Sequence, residues 1–360
     1  CICHDKNVLN VYASIFQSAV RVNAWHNFPM NKSSSILKTD IHCHLEACFR
    51  HQTLIEIGDR VGLPVPADVG TFKRDYLVAN QKESLAEMIA GFDRVRALWF
   101  DPKAITRLTK EAVEDAAAQN VRLIELRYSP DFIQNDRDIS FEAIHGAILD
   151  GISSANTDIA VGLIGIIRRT LPLTEAQKVA DFITANADSF VGIDLADQEL
   201  DYPGQEFAQL FRKAKASGLG ITIHAGEISV EESRVNVRTA IEQMGAERIG
   251  HGLHIVNEPD LIQLVIDNDI TLELCPTSNL LTGSIPTIED HPFKKLMDAG
   301  VKTTINTDDP SLFAIDWNSE YAVAANSLSL SRADIDQCIE NAKTASFIDT
   351  NTINKAWSAS

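Results

Sequence analysis

The chain has 360 residues, a formal charge of −18, 45% hydrophobic and 7% aromatic residues. A length of this order suits either two domains or one α/β barrel with insertions. The acidic balance speaks against nucleic acid and anionic membrane as partners, because both polyanions need a Lys/Arg patch and none is visible.

Six cysteines (Cys1, Cys3, Cys43, Cys48, Cys275, Cys338) are scattered without a CxxC pair. That usage suits a reducing compartment, the cytoplasm, better than a disulfide scaffold. The longest apolar run, residues 159–167, is too short for a membrane span, which needs ~18 or more. Residues 1–36 show neither a basic segment leading into a sustained apolar core nor a helical period. We read them as an N-terminal extension, non-native or disordered, with Met30 as the expected natural start.

From Ile36 onward, short β-branched runs alternate with helical patterns, the mark of repeated βαβ units. Strands are expected at 37–42, 121–127, 160–167, 189–195, 219–224, 247–251, 270–274 and 301–306. Most are apolar on both faces, as parallel strands buried between a barrel interior and a helix ring should be. Between the first two strands the spacing places helices at 50–61, 83–99 and 102–119. The expected fold is therefore an α/β, TIM-type (β/α)8 barrel, one domain over 37–360, with a helical lid insertion over 43–120.

Unusual polar residues fall at the C-terminal ends of these strands. Strand one ends in Asp40-Ile-His42-Cys-His44-Leu-Glu46, and residues two apart share a face, so His42 and His44 both point into the barrel mouth. Strand five ends in His224-Ala-Gly-Glu227, strand six in His251-Gly252, and strand eight runs into Asp308-Asp309-Pro310. A lone His or an Asp-Asp-Pro turn is commonly structural. Four such signals at four βα junctions are a site. Three imidazoles and a carboxylate (His42, His44, His224, Asp308) suit one zinc ion completed by water, which the metal acidifies toward a pKa of ~7. Glu227, three residues past His224, is placed to shuttle protons, and His251 to orient or deprotonate the water.

These segments, with Glu125-Leu-Arg-Tyr-Ser-Pro130, Asp194-Leu-Ala196 and Thr277-Ser-Asn279, resemble the adenosine deaminase family of the amidohydrolase superfamily, from about Thr39 to at least Asn341. The resemblance implies hydrolytic deamination of adenosine or 2′-deoxyadenosine, with water and the purine nucleoside as small-molecule partners. Carried over by position, His42, His44, His224 and Asp308 would bind zinc, with His44 also facing the substrate. Glu227 would protonate purine N1, and His251 would steer the attacking hydroxide. Asp309 would bond N7, Glu46 a ribose hydroxyl, and the backbone at Asp197 would meet N3.

Binuclear members of the superfamily bridge two metals with a lysine at the end of strand four. Strand four here, Val191-Gly-Ile-Asp-Leu-Ala196, offers none, so one ion is expected. Two departures bear on substrate. Ala47 stands where the family commonly has glycine, and would strain a turn of positive φ. Asp197 replaces the glycine of Leu-Ala-Gly-Asp-Glu and would carry a carboxylate toward a neutral purine. Free adenine and N6-substituted adenine nucleotides are alternative substrates, with Arg168 and Arg169 the candidate phosphate ligands. A barrel that has lost catalysis and serves in binding or signalling is the rival reading.

Overall fold

The computed structural model describes residues 36–78, 92–135 and 137–359. The expected extension with its Met30 start and most of the expected 83–99 helix lie outside the described residues. Eight strands form one parallel sheet in the order β1 to β8: β1 Lys38–His44, β2 Val121–Tyr128, β3 Ala160–Arg168, β4 Gly192–Ala196, β5 Gly220–Ala225, β6 Arg248–His251, β7 Thr271–Leu274 and β8 Lys302–Ile305. Every expected strand is present, its ends moved by three residues or fewer. This is a (β/α)8 barrel.

The seam between β8 and β1 is closed by the segment just past β8. The Asp308 amide donates to the His42 carbonyl at 2.9 Å, the His44 amide donates to the Asp308 carbonyl at 2.7 Å, and Asn306 Oδ1 accepts from the Ile41 amide at 3.0 Å. Asp40 reinforces the join. Its buried carboxylate accepts from the Thr307 amide, the Thr307 hydroxyl, the Trp317 indole and the His42 amide.

At the opposite end, Phe347 and Ile348 plug the barrel floor. Cβ atoms at Gly192 and Gly220 would meet the Phe347 ring at 2.6 and 2.2 Å, so these strands carry glycine to admit the plug.

Between β1 and β2 lie helices His51–Val61, Val69–Tyr76 and Pro102–Ala118. The last begins with Asp101 capping the Ala104 amide and proline at its first turn. It packs on helix Phe141–Ser154, where Gly151 lets Thr106 and Thr109 approach its backbone. Residues 69–76 had no expected helix, because the stretch is short and largely polar. No described helix is long and apolar enough to cross a membrane.

Candidate active site

The strand ends bring the expected ligands together. One donor atom from each of His42, His44, His224 and Asp308 lies within 4.8 Å of the other three. His42 Nε2 and His44 Nε2 are each 3.2 Å from Asp308 Oδ1, and His44 Nε2 is 3.4 Å from His224 Nε2. Gly250 makes this packing feasible, since a Cβ there would meet His42 Cε1 at 2.9 Å.

The outer ring nitrogens define the inner ones. His42 Nδ1 is 2.7 Å from Glu273 Oε2, and His224 Nδ1 is 2.9 Å from Asp194 Oδ2. An ionised carboxylate only accepts, so both Nδ1 atoms carry hydrogen and both Nε2 lone pairs face inward. His42 Nε2 is buried without a hydrogen-bond partner. Ser278 Oγ donates to Asp308 Oδ2 at 2.6 Å, orienting that carboxylate. Donor types, tautomers and the orphaned nitrogen all fit a divalent metal ion.

Asp194 and Glu273 are themselves joined by one guanidinium. Arg127, fully buried, is 2.8 Å from Asp194 Oδ2 and 2.8 Å from Glu273 Oε2. Glu273 continues through Arg248 at 2.6 Å to Glu125, whose carboxylate accepts from Ser346 and Phe347 on the floor. A chain of charge thus runs from the floor plug to two metal-facing histidines. Attraction to Arg127 and the neighbouring histidines holds Asp194 and Glu273 below the ordinary carboxylate range despite burial. The ligand signal in the sequence gave no sign of Glu273 or of this pairing, since each partner stands on a different strand.

Glu227 lies beside the metal-facing group, with Oε2 3.8 Å from His251 Nε2. Burial, then the charges of Asp308 and Glu199, push its carboxyl up to about 8. Glu199, which the sequence reading passed over, locks this segment in place. Its carboxylate accepts from the Gly226 amide at 3.1 Å, the Glu227 amide at 3.0 Å, Ser233 Oγ at 2.5 Å and Asn236 Nδ2 at 3.4 Å. Gly226 needs its φ of +74° to turn both amides toward one acceptor. His251 and Asp308 also have positive φ, 62° and 64°. Residues without glycine's freedom adopt this region at a cost, here spent where side chains must converge.

A cavity of about 350 Å³ opens from this cluster, lined among others by His44, Glu46, Glu227, Asp309, Phe132 and Phe313. Glu46 accepts from the Ser129 amide at 2.7 Å through Oε1, while Oε2 is buried and unpartnered. Burial raises Glu46 to about 7, and burial with neighbouring Asp308 raises Asp309 well above its usual range.

The Ala47 departure loses its force in the structure, while Asp197 does line the cavity. Ala47 has no positive φ and sits in the short turn Leu45–Ala47, so its Cβ strains nothing. Asp197 does have φ +82°, but its exposed carboxylate accepts from Thr170 Oγ1 at 2.5 Å and the Gln198 amide at 2.8 Å. The two arginines do not cluster. Arg169 is buried and donates to the carbonyls of His224 and Tyr202, while Arg168 at the cavity wall is paired with Asp131. Arg96, the other cation lining the cavity among the described residues, is 2.7 Å from Asp93.

The adenosine deaminase of Vibrio parahaemolyticus serotype O3:K6 is 34% identical over 313 residues, covering 86% of this chain and 93% of that one. An amidohydrolase from Burkholderia ambifaria, solved with bound Zn, superposes with a TM-score of 0.81 at 28% identity, covering 96% of this chain and 93% of that one. An arabidopsis N6-mAMP deaminase gives 0.77 at 28% identity, with 91% and 98% coverage. With the adenosine deaminase profile matched across residues 37–358, the chain belongs to the adenosine deaminase family.

Proposed function

We propose that this chain hydrolyses adenosine and 2′-deoxyadenosine to inosine or deoxyinosine and ammonia, using one zinc ion. The observation that carries the reading is a cavity lined by His44, His224 and Asp308 of the four-residue cluster and by Glu227, whose carboxyl is pushed up to about 8 by burial and the charges of Asp308 and Glu199. Zinc held there supplies the positive charge that acidifies water and polarises the attack at C6.

The remaining work belongs to the chain. Glu227 gives its proton to N1, withdrawing ring electron density from C6 as the water oxygen adds. His251 holds that oxygen on the reacting face. Asp309 meets N7, the backbone amide of Asp197 meets N3, and the free Oε2 of Glu46 accepts from a ribose hydroxyl. The Glu227 carboxylate left behind takes the proton of the added C6–OH and passes it to the 6-amino nitrogen, so that the C6–N bond breaks, ammonia leaves and C6 becomes a carbonyl; the proton given up by the next attacking water restores Glu227. Residues 37–360 act in this reading as one barrel unit in the cytoplasm, with the described parts of the 43–120 excursion as its lid.

Substrate choice follows from the arginine pairings. Arg96 and Arg168 are already neutralised by carboxylates, so among the described residues a 5′-phosphate would meet a predominantly acidic cavity wall without a free cation. Ammonia release from adenosine, deoxyadenosine, adenine, AMP and N6-methyl-AMP is the deciding assay. Adenosine should exceed AMP in kcat/KM by a factor of about 100 or more, the worth of roughly 3 kcal/mol of unpaired buried charge. Equal rates on the two would overturn the nucleoside assignment, and no turnover on any of them would overturn the deaminase reading.

Stripping the metal with a strong chelator should abolish turnover and lower Tm by roughly 6 °C, as expected for removal of an ion bound at about 1,000 times its Kd. Zinc added back should restore both. A chelated protein with unchanged Tm and activity would remove the metal from the scheme.

A further inference from the structure

His251 has two available roles at the attacking water, hydrogen-bond donor or base, and the proton on its ring decides between them. A run of buried contacts leading away from the cavity locates that proton. The backbone N–H of Phe293 donates to His291 Nδ1 at 3.1 Å. A backbone amide can only donate, so His291 Nδ1 is bare and the ring proton is on Nε2. Burial, with His251 and His254 nearby, pushes His291 down to about 3, so it carries no second proton at neutral pH.

His291 Nε2 lies 3.1 Å from Asn279 Oδ1 and donates to it. That contact sets the amide, leaving Asn279 Nδ2 toward His251 Nδ1, also at 3.1 Å. An amide NH2 cannot accept, so His251 Nδ1 is the acceptor. An imidazole with a bare Nδ1 keeps its one proton on the other nitrogen, so the His251 proton is on Nε2. That nitrogen faces the gap between Glu227 Oε2 at 3.8 Å and Asp308 Oδ2 at 3.9 Å. Asn279 is fully buried and His291 nearly so, which leaves solvent no means of reversing the sequence of donors.

We propose that Asn279 and His291 are positioning residues that hold His251 in its Nε2–H tautomer, so that His251 meets the attacking oxygen as a hydrogen-bond donor and takes no proton from it. The inference rests on the proposed contact between His251 and the water, and the test separates the two. In the zinc-loaded enzyme labelled with 15N-histidine, the resonance that His251→Gln removes should show a protonated Nε2 and a bare Nδ1. A proton on Nδ1 overturns the inference.

Asn279→Asp keeps the shape but replaces the donor with an acceptor, drawing the His251 proton to Nδ1. Its kcat should fall by about a hundredfold or more, as wrong-tautomer variants of catalytic histidines do, while KM for adenosine stays within about threefold. His291→Gln, which still offers an N–H to Asn279 Oδ1, should keep most activity, whereas His291→Leu frees the amide to flip and should lose it. Asn279→Asp with parental kcat, or His291→Gln and His291→Leu equally active, overturns the inference even if His251→Gln is inactive. A fully active His251→Gln instead removes the contact on which it rests. Should Asn279→Asp fail to fold, the parental spectrum and the His291 pair still decide.

Discussion

Glu227→Gln is expected to fold and load metal as the parent does while kcat falls by about 10³, the usual worth of a positioned general acid. The amide has the same shape and can still hydrogen-bond N1, but it has no proton to surrender there. The pH profile adds a second mark. Burial, Asp308 and Glu199 raise the folded carboxyl above its unfolded value, so the donating form survives to neutral pH. Parental kcat should then decline as pH rises past that raised value, on the alkaline side of the ordinary carboxyl range. The variant's residual rate should lack this limb. Metal content and kcat measured together check the claim, and a variant retaining more than a tenth of the parental rate would remove Glu227 from the donor role.

Arg127→Met is expected to produce the largest loss of stability, about 3–5 kcal/mol, because it leaves the buried carboxylates of Asp194 and Glu273 without their shared cation. Those acids would regain proton affinity. A protonated carboxyl no longer fixes Nδ1–H on its histidine, so His42 and His224 lose their enforced tautomers. Metal affinity should fall by about 10–100-fold in consequence. Arg127→Lys, a point charge without the planar fork, should lie between the two. Thermal unfolding with a zinc titration reads both effects. A Met variant with parental Tm and parental affinity would show that Arg127 merely fills space.

The barrel and its metal-facing group were legible in the sequence for one reason: a parallel strand is a run of aliphatic residues, and whatever polar group ends the run is delivered to a common mouth. His42, His44, His224, His251 and Asp308 could be found this way without any contact being known. Arg127, Asp194 and Glu273 could not be paired, because their relation crosses β2, β4 and β7 and leaves no mark within any one of them. Glu199 was passed over for the same reason, since its partners are amides and small polar side chains on the next strand's loop and helix. Backbone conformation was the other blind spot. Ala47 and Asp197 looked alike as departures from glycine, yet only Asp197 occupies the left-handed region, and its carboxylate finds local hydrogen bonds with Thr170 and Gln198 at the cavity edge.

The seam of the barrel gives the metal a second meaning. Asp308 and the two histidines of β1 form the last rung between the ends of the sheet as well as three of the four residues proposed to hold the metal. Closing the cylinder and building the site are one event, so ion binding is a wage paid directly into ring closure. Loss of the ion should be felt first as accelerated hydrogen exchange at the amides of His44 and Asp308, while β3 and β4 across the barrel remain protected. The metal then acts as the clasp of the cylinder, and an enzyme short of zinc should begin to unfold at its own active site.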